Sequence, residues 1–161
     1  MKTILVWVFG IGAAILLMFV LTGTVKIKKN EIITPVGKSE YLPEGWREIN
    51  PMAEGVVVSA EKDKANFNVT KDKIENGDIG EYGQYLKEVI KKVASEIKFT
   101  QESIEGFEAE LSQQGVDYKS RLVLKQGQDN EVWILTFNAP KSDWEKYLAD
   151  FESILKNFSI K

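Results

Sequence analysis

The feature that most constrains this chain is the uncharged apolar stretch over residues 3–25. At 1.5 Å per residue, about 20 helical residues cross a bilayer core of about 30 Å, so the stretch is long enough to span a membrane. Trp7 lies near one end, and Lys2 and Lys26 flank the stretch, as interfacial residues do. The sequence therefore predicts an anchor helix over residues 1–25, with residues 3–25 in the lipid bilayer.

A cleaved signal peptide and a buried core helix are the alternatives for this stretch. The apolar part of a signal peptide is typically about 7–15 residues long, which this stretch exceeds. Thr22, Gly23 and Thr24 form a poor small-residue cleavage site, and lipid attachment would need a cysteine, which the sequence lacks. We therefore expect an uncleaved, single-pass anchor.

The anchor also contains a candidate helix-packing pair. Gly10 and Ala14 lie four residues apart, a spacing of small residues that lets a second helix approach closely. Lys2 on one flank and Lys26, Lys28 and Lys29 on the other leave the orientation open, because long domains translocate largely regardless of flanking charge.

The composition excludes several classes of function. The 161 residues include no Cys and no His, which removes disulfides, thiolate nucleophiles, imidazole bases and thiolate zinc sites. The formal net charge is −3 and the basic residues are scattered, which argues against nucleic acid as a partner. Phosphate-binding, dinucleotide-binding and serine-hydrolase motifs are missing. We therefore predict a non-enzymatic protein without a cofactor.

Residues 26–40 are polar and mixed, which predicts a linker before one folded domain over residues 41–161. Periodicity predicts strands, a helix, more strands and a final helix. The first helix is predicted with Asp78 as N-cap and the second with a capping box at Ser142 and Glu145. The predicted strands cover residues 46–49, 56–60, 65–70, 107–111, 116–124 and 131–139, and the first helix covers residues 78–97.

The last predicted strand, residues 131–139, sets the architecture. Apolar residues occupy both of its faces, which indicates a central strand covered on both sides. Short connections make the later strands antiparallel, and two amphipathic helices are available to cover the sheet. The predicted fold class is α+β: a transmembrane helix followed by an α/β/α sandwich with a mainly antiparallel central sheet.

Two carboxylate pairs are candidates for acid–base chemistry. Glu61 with Asp63, and Glu108 with Glu110, lie two residues apart and would share one strand face. Such pairs are more typical of a solvated face, so no catalytic residue is predicted.

An acidic loop offers oxygen ligands for a cation. A loose site using Asp72, Glu75 and Asp78 is an open alternative to a helix-capping turn. A calcium-binding EF-hand is excluded because Ile74 and Gly83 would occupy positions that require carboxylates.

Aromatic residues are predicted mainly as core residues, with one exception. Trp46, near the loop that contains Met52, is the candidate for an exposed aromatic anchor. We therefore predict Trp46 and Met52 as partner contacts, because buried aromatics dominate the binding energy of interfaces.

The order of several short motifs resembles the PsbP/DcrB-like superfamily over residues 41–161. The motifs are Leu42-Pro-Glu-Gly-Trp46, Asn66-Phe-Asn-Val-Thr70, Val132-Trp-Ile-Leu-Thr-Phe137 and Ile154-Leu-x-x-Phe158. The resemblance implies an α/β/α sandwich that is usually non-catalytic, tethered on the extracytoplasmic side and docked onto a larger assembly. The chain departs from DcrB-type proteins in lacking a lipid-attachment cysteine, whose place the transmembrane helix would take.

These inferences predict a cell-membrane protein with an extracytoplasmic domain, acting as an accessory subunit of a larger membrane protein complex. A stand-alone envelope module that binds a ligand or a metal is the first alternative. A pilin-like filament subunit is the second, although a pilin processing site is not present.

Overall fold

The computed structural model describes residues 41–50, 55–74 and 77–158, and these contain seven strands and two α-helices. A 3₁₀ turn, Lys141–Asp143, precedes the second helix. In chain order the elements are β1 (Arg47–Ile49), β2 (Val56–Lys62), β3 (Ala65–Lys73), α1 (Ile79–Val93), β4 (Lys98–Ser103), β5 (Gly106–Gln113), β6 (Val116–Gln126), β7 (Glu131–Pro140) and α2 (Trp144–Asn157). The order of strands and helices is the predicted one.

Several predictions fall on residues that lie outside the described ranges. These are the anchor over residues 1–25 with Gly10 and Ala14, the linker over residues 26–40, and the roles of Met52 and Glu75. Within the described ranges, no helix has the length and apolarity needed to cross a bilayer.

The seven strands form one antiparallel sheet in the order β1-β2-β3-β7-β6-β5-β4. Strand β7 is therefore the middle strand, and all of its residues after Glu131 are buried. This confirms the prediction of a central strand covered on both sides.

Each helix covers one face of the sheet, which confirms the α/β/α sandwich. Helix α2 packs Trp144, Phe151 and Ile154 onto apolar residues of β2, β3 and β7. Helix α1 packs Leu86 and Ile90 onto apolar residues of β5, β6 and β7. The two cores are thus offset along the sheet, and only β7 contributes buried residues to both.

The helix ends were predicted only in part. Asp78 caps α1 as predicted, and its Oδ1 accepts hydrogen bonds from the backbone N–H groups of Gly80 (2.8 Å) and Glu81 (3.0 Å). The helix ends at Val93, although Ile97, in the turn beyond it, still reaches the same core. The predicted capping box at Ser142 is wrong, because Ser142 lies in the 3₁₀ turn and its hydroxyl contacts Asp143.

Strand β4 was not predicted, because it is a polar strand at the edge of the sheet with only Phe99 as an apolar residue. It is joined to β5 by a turn at whose end Gly106 has a φ of 148°. A Cβ atom on Gly106 would lie 2.0 Å from the backbone oxygen of Leu122, so this close approach of β5 to β6 requires glycine.

Candidate binding site

Five uncharged side chains form a hydrogen-bonded network on the α1 side of the sheet, which we call the amide network. At its centre, Asn66 Oδ1 accepts hydrogen bonds from Asn68 Nδ2 (3.1 Å) and Asn138 Nδ2 (2.8 Å). At its ends, Ser59 Oγ donates to Asn68 Oδ1 (2.7 Å) and Ser120 Oγ donates to Asn138 Oδ1 (2.6 Å). The serines thereby direct the amide oxygens of Asn68 and Asn138 outward and their NH₂ groups inward.

Strand register brings these side chains together across β2, β3, β7 and β6. Asn66 and Asn68 share a face of β3 because they lie two residues apart. Asn66 is paired with Asn138, and Asn68 with Thr136, on the neighbouring strand β7. Asn68 is only 6% exposed, and its amide oxygen and its amide nitrogen each make a hydrogen bond.

Thr136 lies beside the amide network but takes no part in its hydrogen bonds. Its side chain is 2% exposed, and its Oγ1 has no hydrogen-bond partner among the described residues. A buried polar atom without a partner costs about 1–3 kcal/mol. Asn66, Asn68, Thr136 and Asn138 occupy the four corners of a square on β3 and β7, which we call the amide square.

A second polar cluster, on the α2 side of β5 and β6, is built from charges, and we call it the charge network. Glu108 is 4% exposed and lies 2.8 Å from both Lys119 Nζ and Arg121 Nε. Arg121 also pairs with Glu152 of α2. Burial by itself would raise the pKa of Glu108, but the hydrogen bonds and charges of Lys119 and Arg121 outweigh it and lower this pKa.

The carboxylate pairs considered from the sequence do not form acid–base pairs. Glu108 and Glu110 share a face of β5, as predicted, but the lowered pKa keeps Glu108 ionised in its ion pairs. Glu61 and Asp63 do not share a face, because β2 ends at Lys62 and Asp63 lies in the following turn with a φ of 52°.

The acidic loop is occupied by structural hydrogen bonds at both described positions. Asp72 Oδ2 accepts from the Tyr82 hydroxyl at 2.7 Å, and Asp78 caps α1. Burial raises the pKa of Tyr82, and its hydrogen bond to Asp72 adds to this effect. The described residues hold no cluster of three metal-ligating side chains. A site that includes Glu75 stays a prediction.

The prediction that Trp46 is exposed is wrong. Its side chain is only 9% exposed, its Nε1 donates to Asp150 Oδ2 at 2.9 Å, and its ring lies 5.9 Å from that of Phe151. Trp46 is therefore part of the core beneath α2. Among the described residues, the most exposed large apolar side chain is instead Ile104, in the turn between β4 and β5, which the sequence did not single out because β4 was missed.

No family model and no curated protein matches the chain, whereas several solved structures do. A Pseudomonas aeruginosa protein of unknown function, PA94, is 15% identical over 72% of this chain and 81% of its own, with a TM-score of 0.53. A cyanobacterial PsbP from Synechocystis sp. PCC 6803 is 11% identical over 86% of this chain and 100% of its own, with a TM-score of 0.49.

A Bacteroides thetaiotaomicron protein is 19% identical over 74% of this chain, with a TM-score of 0.48. This chain spans only 43% of that protein. At such identities the likeness concerns the fold alone.

Proposed function

We propose that this protein is a single-pass, non-catalytic accessory subunit whose α/β/α domain docks onto a larger membrane protein complex on the extracytoplasmic side. The observation that carries the proposal is the uncharged apolar stretch of residues 3–25, followed after a short linker by a domain with two packed cores. A tether of this kind raises the effective concentration of the domain near a membrane partner.

The environment of the titratable groups supports a non-catalytic role. A shifted pKa suggests a catalytic group mainly where no structural ion pair or hydrogen bond explains the shift, because structural ion-pair networks also shift pKa values. Here Glu108 is held by Lys119 and Arg121, and the half-buried Lys125 donates to the backbone oxygens of Leu155 and Phe158 at the end of α2. Burial lowers the pKa of Lys125, but its position closes a helix terminus.

Native-gel mass analysis of the C-terminally tagged protein, gently extracted from its own membranes, tests the proposal. We expect stable co-migration with defined subunits, lost when residues 1–25 are removed. A clean monomer from intact membranes would contradict docking.

Two matched variants separate the contributions of the anchor and the domain. Replacing residues 1–25 with an unrelated transmembrane helix of the same length should preserve the complex if the domain docks. Replacing Gly10 and Ala14 by leucine should leave it intact for the same reason, and loss of the complex would assign the contact to the anchor helix.

A ligand-binding module is the second candidate, and one observation favours it. The buried Thr136 hydroxyl lacks a partner within the described ranges, beside three aligned carboxamides.

A further inference from the structure

We propose that the amide square is a binding site for one carbonyl or hydroxyl oxygen of a small uncharged ligand. The site lies on the α1 side of β3 and β7, with Asn66, Asn68, Thr136 and Asn138 at its corners. This inference goes beyond docking and does not depend on it.

The amide square has more hydrogen-bond donors than acceptors within the described residues. Each carboxamide nitrogen carries two hydrogens, and Asn68 and Asn138 each give one of them to Asn66 Oδ1. Thr136 lies diagonally opposite Asn66, directly across from Asn68 and two residues from Asn138. The Thr136 hydroxyl and the second N–H groups of Asn68 and Asn138 have no acceptor among the described residues, so a ligand oxygen bound at the square would accept from them.

The NH₂ donors of Asn68 and Asn138 are fixed in orientation. Ser59 and Ser120 hold the oxygens of Asn68 and Asn138 on the outer sides, so both NH₂ groups point inward. Ser59, Ser120 and Asn138 are buried, so neighbouring atoms restrict rearrangement. Donors that are already oriented lower the cost of binding an acceptor.

The surroundings of the amide square limit the charge and the size of a ligand. The square contains no charged side chain, and the nearest carboxylate by register, Glu61 beside Asn66, is paired with Arg47. A charged ligand would be buried without a counter-ion, which is costly. Asn66 is the only corner that is partly exposed, so access is limited to a small molecule.

A purely structural role accounts for the asparagines but not for Thr136. Within the amide network every amide oxygen and both serine hydroxyls have a partner, whereas the Thr136 hydroxyl has none within the described part of the chain. Valine has nearly the same shape and would avoid the cost of an unpaired buried hydroxyl. A ligand oxygen that accepts a hydrogen bond from the Thr136 hydroxyl would account for a buried hydroxyl at this position.

The test uses the full chain in detergent and acetamide, a small neutral probe that carries a carbonyl oxygen. Binding is followed by the NMR signals of the Asn68 and Asn138 side-chain NH₂ groups. We expect both signals to shift, and Thr136→Val to weaken binding about fivefold, the loss of one neutral hydrogen bond. Thr136→Ser should retain binding, and it also keeps the test valid if the valine variant does not fold.

Thr100→Val, the same change on the exposed strand β4, is the matched control and should bind the probe normally. Acetate, a charged carbonyl compound, should leave the signals unchanged. The proposal is overturned if the probe shifts neither signal, if Thr136→Val binds as well as the unchanged protein, or if only a long-lived water is found at the square.

Discussion

The charge network and the amide network occupy opposite faces of one sheet, each beside the apolar core that a helix forms on that face. The charge network lies on the α2 side of β5 and β6, where Lys119 and Arg121 are about one-fifth exposed. The amide network lies on the α1 side of β2, β3, β7 and β6 and is almost completely buried, apart from Asn66. The same sheet therefore carries two polar regions with different chemistry.

The two networks use different polar groups because their exposure to water differs. Long charged side chains keep their ends partly in water while they pair, which limits the cost of desolvation. Asparagine and serine are short and must be satisfied within the fold, because an unmade hydrogen bond costs more there than a made one contributes. The amide network should therefore be sensitive to truncation, and the charge network to pH.

Asn138→Ala should have the largest effect and would break the amide network at its most buried amide. It removes the donor to Asn66 Oδ1 and the acceptor of the Ser120 hydroxyl, and it leaves a small cavity, so we expect the free energy of unfolding to fall by about 3 kcal/mol. Urea unfolding followed by tryptophan fluorescence measures it, because Trp46, Trp133 and Trp144 all lie in the core.

The control for this change is Asn157→Ala at the exposed end of α2, which should shift stability by less than about 0.5 kcal/mol. Equal effects of the two substitutions would show that the amide network contributes no stability.

Glu108→Ala should have a smaller effect, of about 2 kcal/mol. It leaves Lys119 and Arg121 without their shared partner, but both remain partly hydrated, so the loss stays below that of a fully buried ion pair. Glu110→Ala is the matched control on the same strand. Among the described residues Glu110 forms an ion pair only with the half-exposed Lys141, so this substitution should cost less than about 1 kcal/mol. A larger loss from the Glu110 change would reverse the assignment of the central carboxylate.

The sequence was sufficient to predict the architecture because apolar periodicity records which faces are buried. The apolar residues on both faces of β7 and the apolar stripes of α1 and α2 correctly indicated a central strand between two helices. Strand β4 was missed because an edge strand needs few apolar residues.

The amide network could not be predicted because it depends on register between distant strands. Asn66 and Asn138 lie 72 positions apart, and only the pairing of β3 with β7 brings them together. The burial of Trp46 was missed for the same reason, since Asp150 and Phe151 contact it from α2.

The pH dependence of stability should give the smallest effect and distinguish the two networks most directly. The pKa of Glu108 is lowered in the folded state, so its contribution is fully present above its unfolded pKa of about 4.3 and is lost as the pH falls through the folded value. Glu108→Gln should therefore unfold with a shallower loss of stability between about pH 5 and pH 3 than the unchanged protein. Asn138→Ala should be less stable than the unchanged protein by the same amount across that range, because amides and hydroxyls do not titrate there. A pH slope unchanged by Glu108→Gln would mean that Lys119 and Arg121 stabilise the folded chain without their buried carboxylate.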